Sequence, residues 1–422
     1  MIMSKNTSGY IRSLAEKSRK AARIISSLES KLKDTAILKM AEYLETDTDE
    51  LIIENQKDLI AGKEKGLSSA LLDRLQLTPQ RIEGMATALR EIAALRDPVG
   101  EVVAQWKRPA GFEVGQVRIP LGVVGIIYES RPNVTADASG LCFKAGNATL
   151  LRGGSEAINS NLAIVSRIRK ALMDTGVSPD AVQIVETTDR AAIGHLLRLH
   201  EWVDLIIPRG GKSLIKRVTE ESTIPVIKHY EGICHVYVQQ EADLEMALRI
   251  AVNAKVQRPA TCNAMETLLV DSGVAREFLP MLADEFKKHG VKIYGCDKTS
   301  LHIEVNKVAT EEDYRTEYLG MICNVRVVED MEEAIDHIAE FGSRHTDVIV
   351  TDSYQAAHRF VAKVDSSSVM VNASSRLADG GVYGLGAEIG ISTDKLHAYG
   401  PMGIKELTTK KFVVWGNGTL RV

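Results

Sequence analysis

Paired cysteines are missing from this sequence. Its five cysteines, Cys142, Cys234, Cys262, Cys296 and Cys323, are odd in number and far apart, so their spacing builds neither a disulfide framework nor a zinc cluster. A reducing compartment and no bound metal are expected. Excess positive charge is missing too. A formal net charge of -4 and a pI near 6.2 leave no basic footprint for nucleic acid and no polybasic patch for a membrane. No apolar run approaches the roughly 20 residues of a membrane span. The opening stretch MIMSKNTSGYIRSLAEKSRKAARII lacks the continuous apolar core of a signal peptide. The expectation is a cytoplasmic protein with no nucleic-acid or membrane partner. Two phosphate fingerprints are absent as well. No G-x-G-x-x-G occurs, and Gly211-Lys212-Ser213 ends like a P-loop but has Ile206 where the first glycine belongs, which weakens a kinase-like reading.

What is present is an ordinary apolar content of 45% in 422 residues, enough for substantial cores and two or three domains. Residues 11 to 95 read as helices. Ile11, Leu14, Ala15, Ser18, Ala21, Ala22 and Ile25 follow one helical face, Ile37, Leu38, Ala41 and Leu44 repeat it, and Thr78-Pro79 caps and opens a further helix. From Trp106 to Ile119, short segments broken by Pro109, Gly111 and Gly115 suggest a hairpin, with Lys411 to Trp415 a strand able to pair with it. Between 122 and 238, short β-rich runs at Val123–Tyr128, Ala148–Arg152, Val182–Val185, Val203–Ile207 and Val236–Val238 alternate with helical segments, as in a mostly parallel sheet covered on both faces. A second alternating unit follows 240. Residues 372 to 403 are glycine-rich without repetition, and a long irregular segment of this kind in a compact enzyme lines a site more often than it links domains.

The stretch VQRPATCNAMETLLV carries the clearest chemistry. Cys262 lies between the loop residues Arg258, Pro259 and Thr261 and the buried-strand run Thr267 to Val270, so a thiol stands at a loop tip on a rigid support. Arg258 and Lys255 favour a thiolate electrostatically, and Asn263 keeps the next position polar. Cys262 is therefore the candidate nucleophile, the plain alternative being a buried structural cysteine. Arg152-Gly153-Gly154-Ser155 and Arg209-Gly210-Gly211-Lys212 each follow a strand and open a helix. Backbone N–H groups can hold phosphate there, or each is simply a glycine turn.

In order along the chain, IPLGVVGIIYESRPNVTADASGLCFKAGNATLLRGGSEA, IIPRGGKSLI, VQRPATCNAMETLLV, EYLGMICNVRVV and AEIGISTDKLHAYGPMG resemble the aldehyde dehydrogenase superfamily over nearly the whole length, and within it most closely the branch that reduces an acyl phosphate. The resemblance implies an α/β fold of two doubly wound parallel-sheet domains plus a small β oligomerisation arm. The cofactor-binding domain would take 1–105 and 122–238, the catalytic domain 239–395, and the arm 106–121 and 404–422. It implies Cys262 as nucleophile and Asn133 as oxyanion donor together with the Cys262 N–H. Arg152 would meet the adenosine ribose, Gly210 and Gly211 the cofactor phosphates, and Glu317 the nicotinamide ribose. The implied reaction turns L-glutamyl 5-phosphate and NADPH into L-glutamate 5-semialdehyde, NADP and phosphate through a cysteine thioester, in proline biosynthesis. A homo-oligomer is implied, and glutamate 5-kinase is a candidate partner. By position and chemistry alone, Arg258, Ser374 and Arg376 are candidates for the substrate's anionic groups.

One departure from the resemblance matters. Hydrolytic members carry a water-activating glutamate before a strand, and His229 of His229-Tyr230-Glu231-Gly232-Ile233 stands in its place unless a gap brings Glu231 there. Omitting that base would protect a thioester from water. The rival readings are a hydrolytic aldehyde dehydrogenase and a non-enzymatic redox sensor built on Cys262. A sensor has no use for Asn133 or Glu317.

Overall fold

The computed structural model describes residues 2–421; Met1 and Val422, the outer limits of the ranges expected for the cofactor domain and the arm, lie outside them. The chain divides into two compact units, one of residues 1–228, 385–390 and 402–422 and one of residues 229–384 and 391–401.

The first unit begins with amphipathic helices, as the apolar spacing requires. Helix Ile2–Ile25 buries Ile11, Leu14, Ala15, Ser18, Ala21, Ala22 and Ile25. Helix Ser30–Thr46 buries Ile37, Met40, Ala41 and Leu44 but leaves Leu38 half exposed, because a step of three from Ile37 keeps to the inner face and a step of one leaves it. Thr78 caps helix Pro79–Ala94 by accepting the Arg81 N–H at 3.2 Å. Strands β1 (Val102–Lys107) and β2 (Glu113–Pro120) form the antiparallel hairpin, and the C-terminal strand Thr408–Trp415 pairs antiparallel with β2 from Thr408↔Pro120 to Trp415↔Glu113. The four-stranded parallel sheet contains β3 (Val123–Tyr128), β4 (Ala148–Arg152), β5 (Val182–Ile184) and β6 (Leu205–Arg209), in the order β5-β4-β3-β6. Every residue of β3, β4 and β5 is buried, hence their unbroken apolar runs. Strand β6 runs through Pro208 to Arg209, past the Ile207 limit read from the sequence; a proline is tolerated on this edge strand because no sheet partner needs its missing N–H. Strand order reverses between β3 and β6, so their carboxyl ends form the crevice where such sheets take ligands.

The second unit holds seven parallel strands, β7 (Cys234–Val238), β8 (Met265–Asp271), β9 (Lys292–Gly295), β10 (Lys307–Val308), β11 (Ile322–Val328), β12 (Thr346–Val350) and β13 (Ser368–Val371), in the order β10-β9-β11-β8-β7-β12-β13. Strand β7, read from the sequence together with the strands before it, instead pairs with β8 and β12. A short fully buried run looks the same in either sheet, and only pairing decides. Val236, Leu268, Val325 and Val348 from neighbouring strands meet Ala251, Phe278 and Leu282 from the covering helices in one apolar core. Among the described residues no helix is long and apolar enough to cross a membrane.

A buried carboxylate locks the helices of the first unit. Asp58 Oδ1 accepts the Asn159 N–H and side-chain amide, and Oδ2 accepts the Ser160 N–H and hydroxyl at 2.8 and 2.6 Å. Removing it strands several buried donors, so Asp58→Ala should lower the unfolding free energy by about 3 kcal/mol, whereas Thr78→Ala should lower it by only about 1 kcal/mol. Urea unfolding of both variants measures the difference.

Candidate active site

In the second unit three loops meet at the amino ends of adjacent strands β11, β8 and β7, carrying Glu317, Cys262 and Gly232 respectively. Parallel pairing sets those ends side by side, which is why residues so far apart in sequence converge. The Cys262 loop is held on several sides. Its carbonyl accepts the Cys234 thiol at 3.2 Å. Gly232 lies so close that a Cβ there would stand 1.8 Å from the same carbonyl oxygen. The buried Asn263 donates from Nδ2 to the carbonyls of Ala378 at 3.0 Å and Arg376 at 3.4 Å, while its own carbonyl accepts the Ser375 hydroxyl at 2.7 Å. The backbone is fixed and the Cys262 side chain is left half-buried. Burial pushes Cys142 and Cys323 up to about 12 and Cys234 well above the usual thiol range, so these three stay protonated.

Lys255, expected to favour a Cys262 thiolate, is fully buried and its ammonium binds Glu266 Oε2 at 2.7 Å. Burial raises the Glu266 carboxyl to about 7 against the pull of Lys255. Glu266 Oε1 accepts the Leu319 N–H at 3.3 Å, pinning a loop in which Leu319 takes a positive φ of 51°. The same loop presents Glu317, whose Oε1 accepts the Gly232 N–H at 2.9 Å.

The cations beside Cys262 are arginines. Burial depresses the Arg376 guanidinium, repulsion from Arg258 depresses it further, and Cys262 among others opposes the shift. Arg376 Nε donates to Gln257 Oε1 at 2.9 Å, and Ser374 Oγ accepts the Arg376 N–H at 3.3 Å as the cap of the short helix Ser375–Leu377. Arg258, Ser374 and Arg376 thus gather around the Cys262 loop, through Asn263. His229 Nδ1 lies 3.1 Å from the Ile391 carbonyl, and its ring packs edge-on against His345 at 5.8 Å. Burial holds His345 neutral, near 3.

In the first unit Asn133 stands exposed in the first turn of helix Pro132–Lys144, directly after the crevice end of β3, and its Nδ2 donates to Asp137 Oδ2 at 3.1 Å. Arg152, last in β4, is only 7% exposed. Its Nη1 donates to the Gly153 carbonyl at 2.9 Å, and its Nε is buried without a partner. Burial lowers this guanidinium, Glu156 offsets the loss, and Arg217 and Arg190 add repulsion, so three arginines bear on one place. Gly210 and Gly211 follow β6. The Gly211 N–H donates to Glu129 Oε2 at 2.9 Å, and a Cβ on Gly210 would come within 2.5 Å of that carboxylate. Sequence reasoning passed over Gly232, Cys234, Glu266, Asp137 and Glu129. A lone glycine in a polar stretch and carboxylates at unremarked spacings carry no local signal.

The chain matches the family described as Aldehyde dehydrogenase family over residues 3–299. It is 53% identical over 416 residues to the γ-glutamyl phosphate reductase of Moorella thermoacetica, spanning 99% of this chain and 100% of that protein. With the enzyme of the same name from Salinibacter ruber it shares 55% identity, over 97% of this chain and 94% of that protein. The crystal structure of γ-glutamyl phosphate reductase from Thermotoga maritima superposes with a TM-score of 0.96 at 45% identity, covering 98% of this chain and 100% of that one.

Two outcomes follow from the packing. Iodoacetamide at neutral pH should label Cys262 and the half-buried Cys296 while sparing Cys142, Cys234 and Cys323 until the protein is denatured, as peptide mass spectrometry reads directly. Gly232→Ala should cost about 2 kcal/mol by overpacking, and by displacing the Cys262 carbonyl it should lower kcat more than tenfold. A melting curve and a rate assay on the same sample test both effects.

Proposed function

The chain belongs to the aldehyde dehydrogenase family, and from that premise we infer that the activity its relatives are named for is its own. It reduces L-glutamyl 5-phosphate to L-glutamate 5-semialdehyde with release of phosphate, in proline biosynthesis. The observation that carries this reading is a thiol, Cys262, on a rigid loop beside Arg258 and Arg376. A nucleophile next to two cations suits a substrate whose leaving group is phosphate.

We assign Cys262 the role of nucleophile. Its thiolate attacks the acyl carbon, the bond from that carbon to the phosphate oxygen breaks, and the departing phosphate is received by Arg258 and Arg376 and takes up one proton from solvent. Ser374 shapes this pocket by capping the turn that carries Arg376. The thioester left on Cys262 keeps the carbonyl electrophilic. The family's nicotinamide cofactor, when bound, supplies the hydride that reduces it; collapse then returns the thiolate and frees the aldehyde. Each addition places negative charge on the carbonyl oxygen, and we assign its stabilisation to Asn133 Nδ2 and the Cys262 N–H, donors of a kind worth about 3 to 4 kcal/mol each.

NADP(H) is the cofactor we propose. The buried Arg152 keeps Nε unpartnered, and although Glu156 and Glu129 offset part of its charge, Arg217 and Arg190 add to the positive character that a ribose 2′-phosphate would answer. Glu317 would hold the nicotinamide ribose, and Gly210 and Gly211 would lie along the cofactor phosphates once the Glu129 carboxylate gives up the Gly211 N–H. His229, tied to a backbone carbonyl, stands in place of a water-activating carboxylate, which favours reduction over hydrolysis. The enzyme would act in the cytoplasm as a homo-oligomer, with glutamate 5-kinase supplying the reactive acyl phosphate. The apolar residues that β1 and the C-terminal strand leave exposed, Val102, Trp106, Phe412 and Trp415, support assembly through the arm.

Run in reverse, the enzyme should reduce NADP with glutamate semialdehyde only when phosphate is present, monitored at 340 nm; brisk glutamate formation in phosphate-free buffer would instead favour the hydrolytic chemistry. Cys262→Ala should abolish turnover with NADPH affinity kept within a few-fold by fluorescence titration. His229→Glu should open phosphate-independent acid formation, a positioned base being worth about 10²- to 10⁴-fold.

A further inference from the structure

Asn133 and Asp137 stand four residues apart on helix Pro132–Lys144 and share one face. Asn133 Nδ2 donates to Asp137 Oδ2 at 3.1 Å. The two ends of a side-chain amide are opposites, one donating and one accepting, and they exchange places by a half-turn about the last torsion. A carboxylate only accepts. An ionised Asp137 therefore admits a single amide orientation, with one Nδ2–H committed to the carboxylate and the second left to donate elsewhere. A neutral side chain at position 137 that can both donate and accept would admit either orientation.

The surroundings favour the ionised form at neutral pH. Burial raises the Asp137 carboxyl to about 6, while the Asn133 hydrogen bond and the Arg209 guanidinium at the end of β6 pull it down. We propose that Asp137 is the positioning residue of the oxyanion site, keeping the Asn133 N–H and not its carbonyl turned toward the charge that develops on the substrate. This rests on the reading of Asn133 as oxyanion donor. An inverted amide sets the negative end of a dipole against the tetrahedral oxyanion but meets little charge in the bound ground state, so loss of positioning falls on kcat and not on KM.

A double-mutant cycle with steady-state kinetics tests this. Asn133→Ala is expected to lower kcat about 100-fold or more. Asp137→Asn, nearly isosteric, is expected to lower kcat about tenfold with both KM values within about twofold, and to have no further effect in the Asn133→Ala background. Asp137→Ala, which likewise cannot select the orientation, should behave as Asp137→Asn does, and thermal melting of each variant verifies the fold. Near-wild-type kcat in folded Asp137→Asn and Asp137→Ala, with Asn133→Ala impaired, would overturn the proposal and leave the oxyanion reading standing. An equal further loss on adding either Asp137 substitution to Asn133→Ala would also overturn it, because Asp137 would then act through something else. A near-wild-type rate in Asn133→Ala would remove the oxyanion reading itself.

Discussion

The buried side chain of Asn263 is the constraint on which the Cys262 loop depends. One side-chain amide joins the Cys262 loop to the turn at 374–378, donating to two of its carbonyls, while the Asn263 main-chain carbonyl accepts a serine hydroxyl from the same turn. Such a buried group is costly unless satisfied, and when satisfied it allows little slack. Its satisfaction sets Arg376 and Arg258 beside Cys262. Within the glycine-rich segment it is the short 3₁₀ turn Ser375–Leu377 that this anchor holds.

A second buried polar feature supports the other side of the loop. The Lys255–Glu266 pair is wholly removed from solvent, and a pair of this kind adds little net stability because desolvation opposes its attraction. Its remaining lone pair receives the Leu319 N–H, so the pair defines where the Glu317 loop sits. Glu317 in turn holds the Gly232 N–H, and Gly232 abuts the Cys262 carbonyl. The group assigned to the cofactor ribose and the nucleophile are therefore linked through one glycine, which leaves position 232 no room for a side chain.

The first unit follows a different logic. Its ligand crevice arises from topology, at the carboxyl ends of β3 and β6 where strand order reverses. Helix Pro132–Lys144 starts just beyond that end of β3, so Asn133 stands at the crevice edge with Asp137 one turn behind it. Arg152 closes β4 next door, its buried guanidinium countered by Glu156 and Glu129 but with Nε unpartnered.

Much of this was legible in the amino-acid sequence. Helical faces, the Thr78 cap, the buried strands β3 and β4, and the loop position of Cys262 all follow from periodicity and turn chemistry, because burial of one face imposes a repeat on neighbouring residues. The candidate roles of Asn133 and Glu317 came from resemblance alone, since neither residue carries a local signal. Tertiary structure decided the rest. It placed β7 in the second sheet, paired Lys255 with Glu266, set Gly232 against the Cys262 carbonyl, and aligned Asp137 with Asn133. Each of these is a pairing between groups, and several join residues far apart in the chain. A sequence specifies the chemistry of each group, but which groups meet is decided by strand pairing and packing, where the cost of an unpaired buried charge or donor selects the partner.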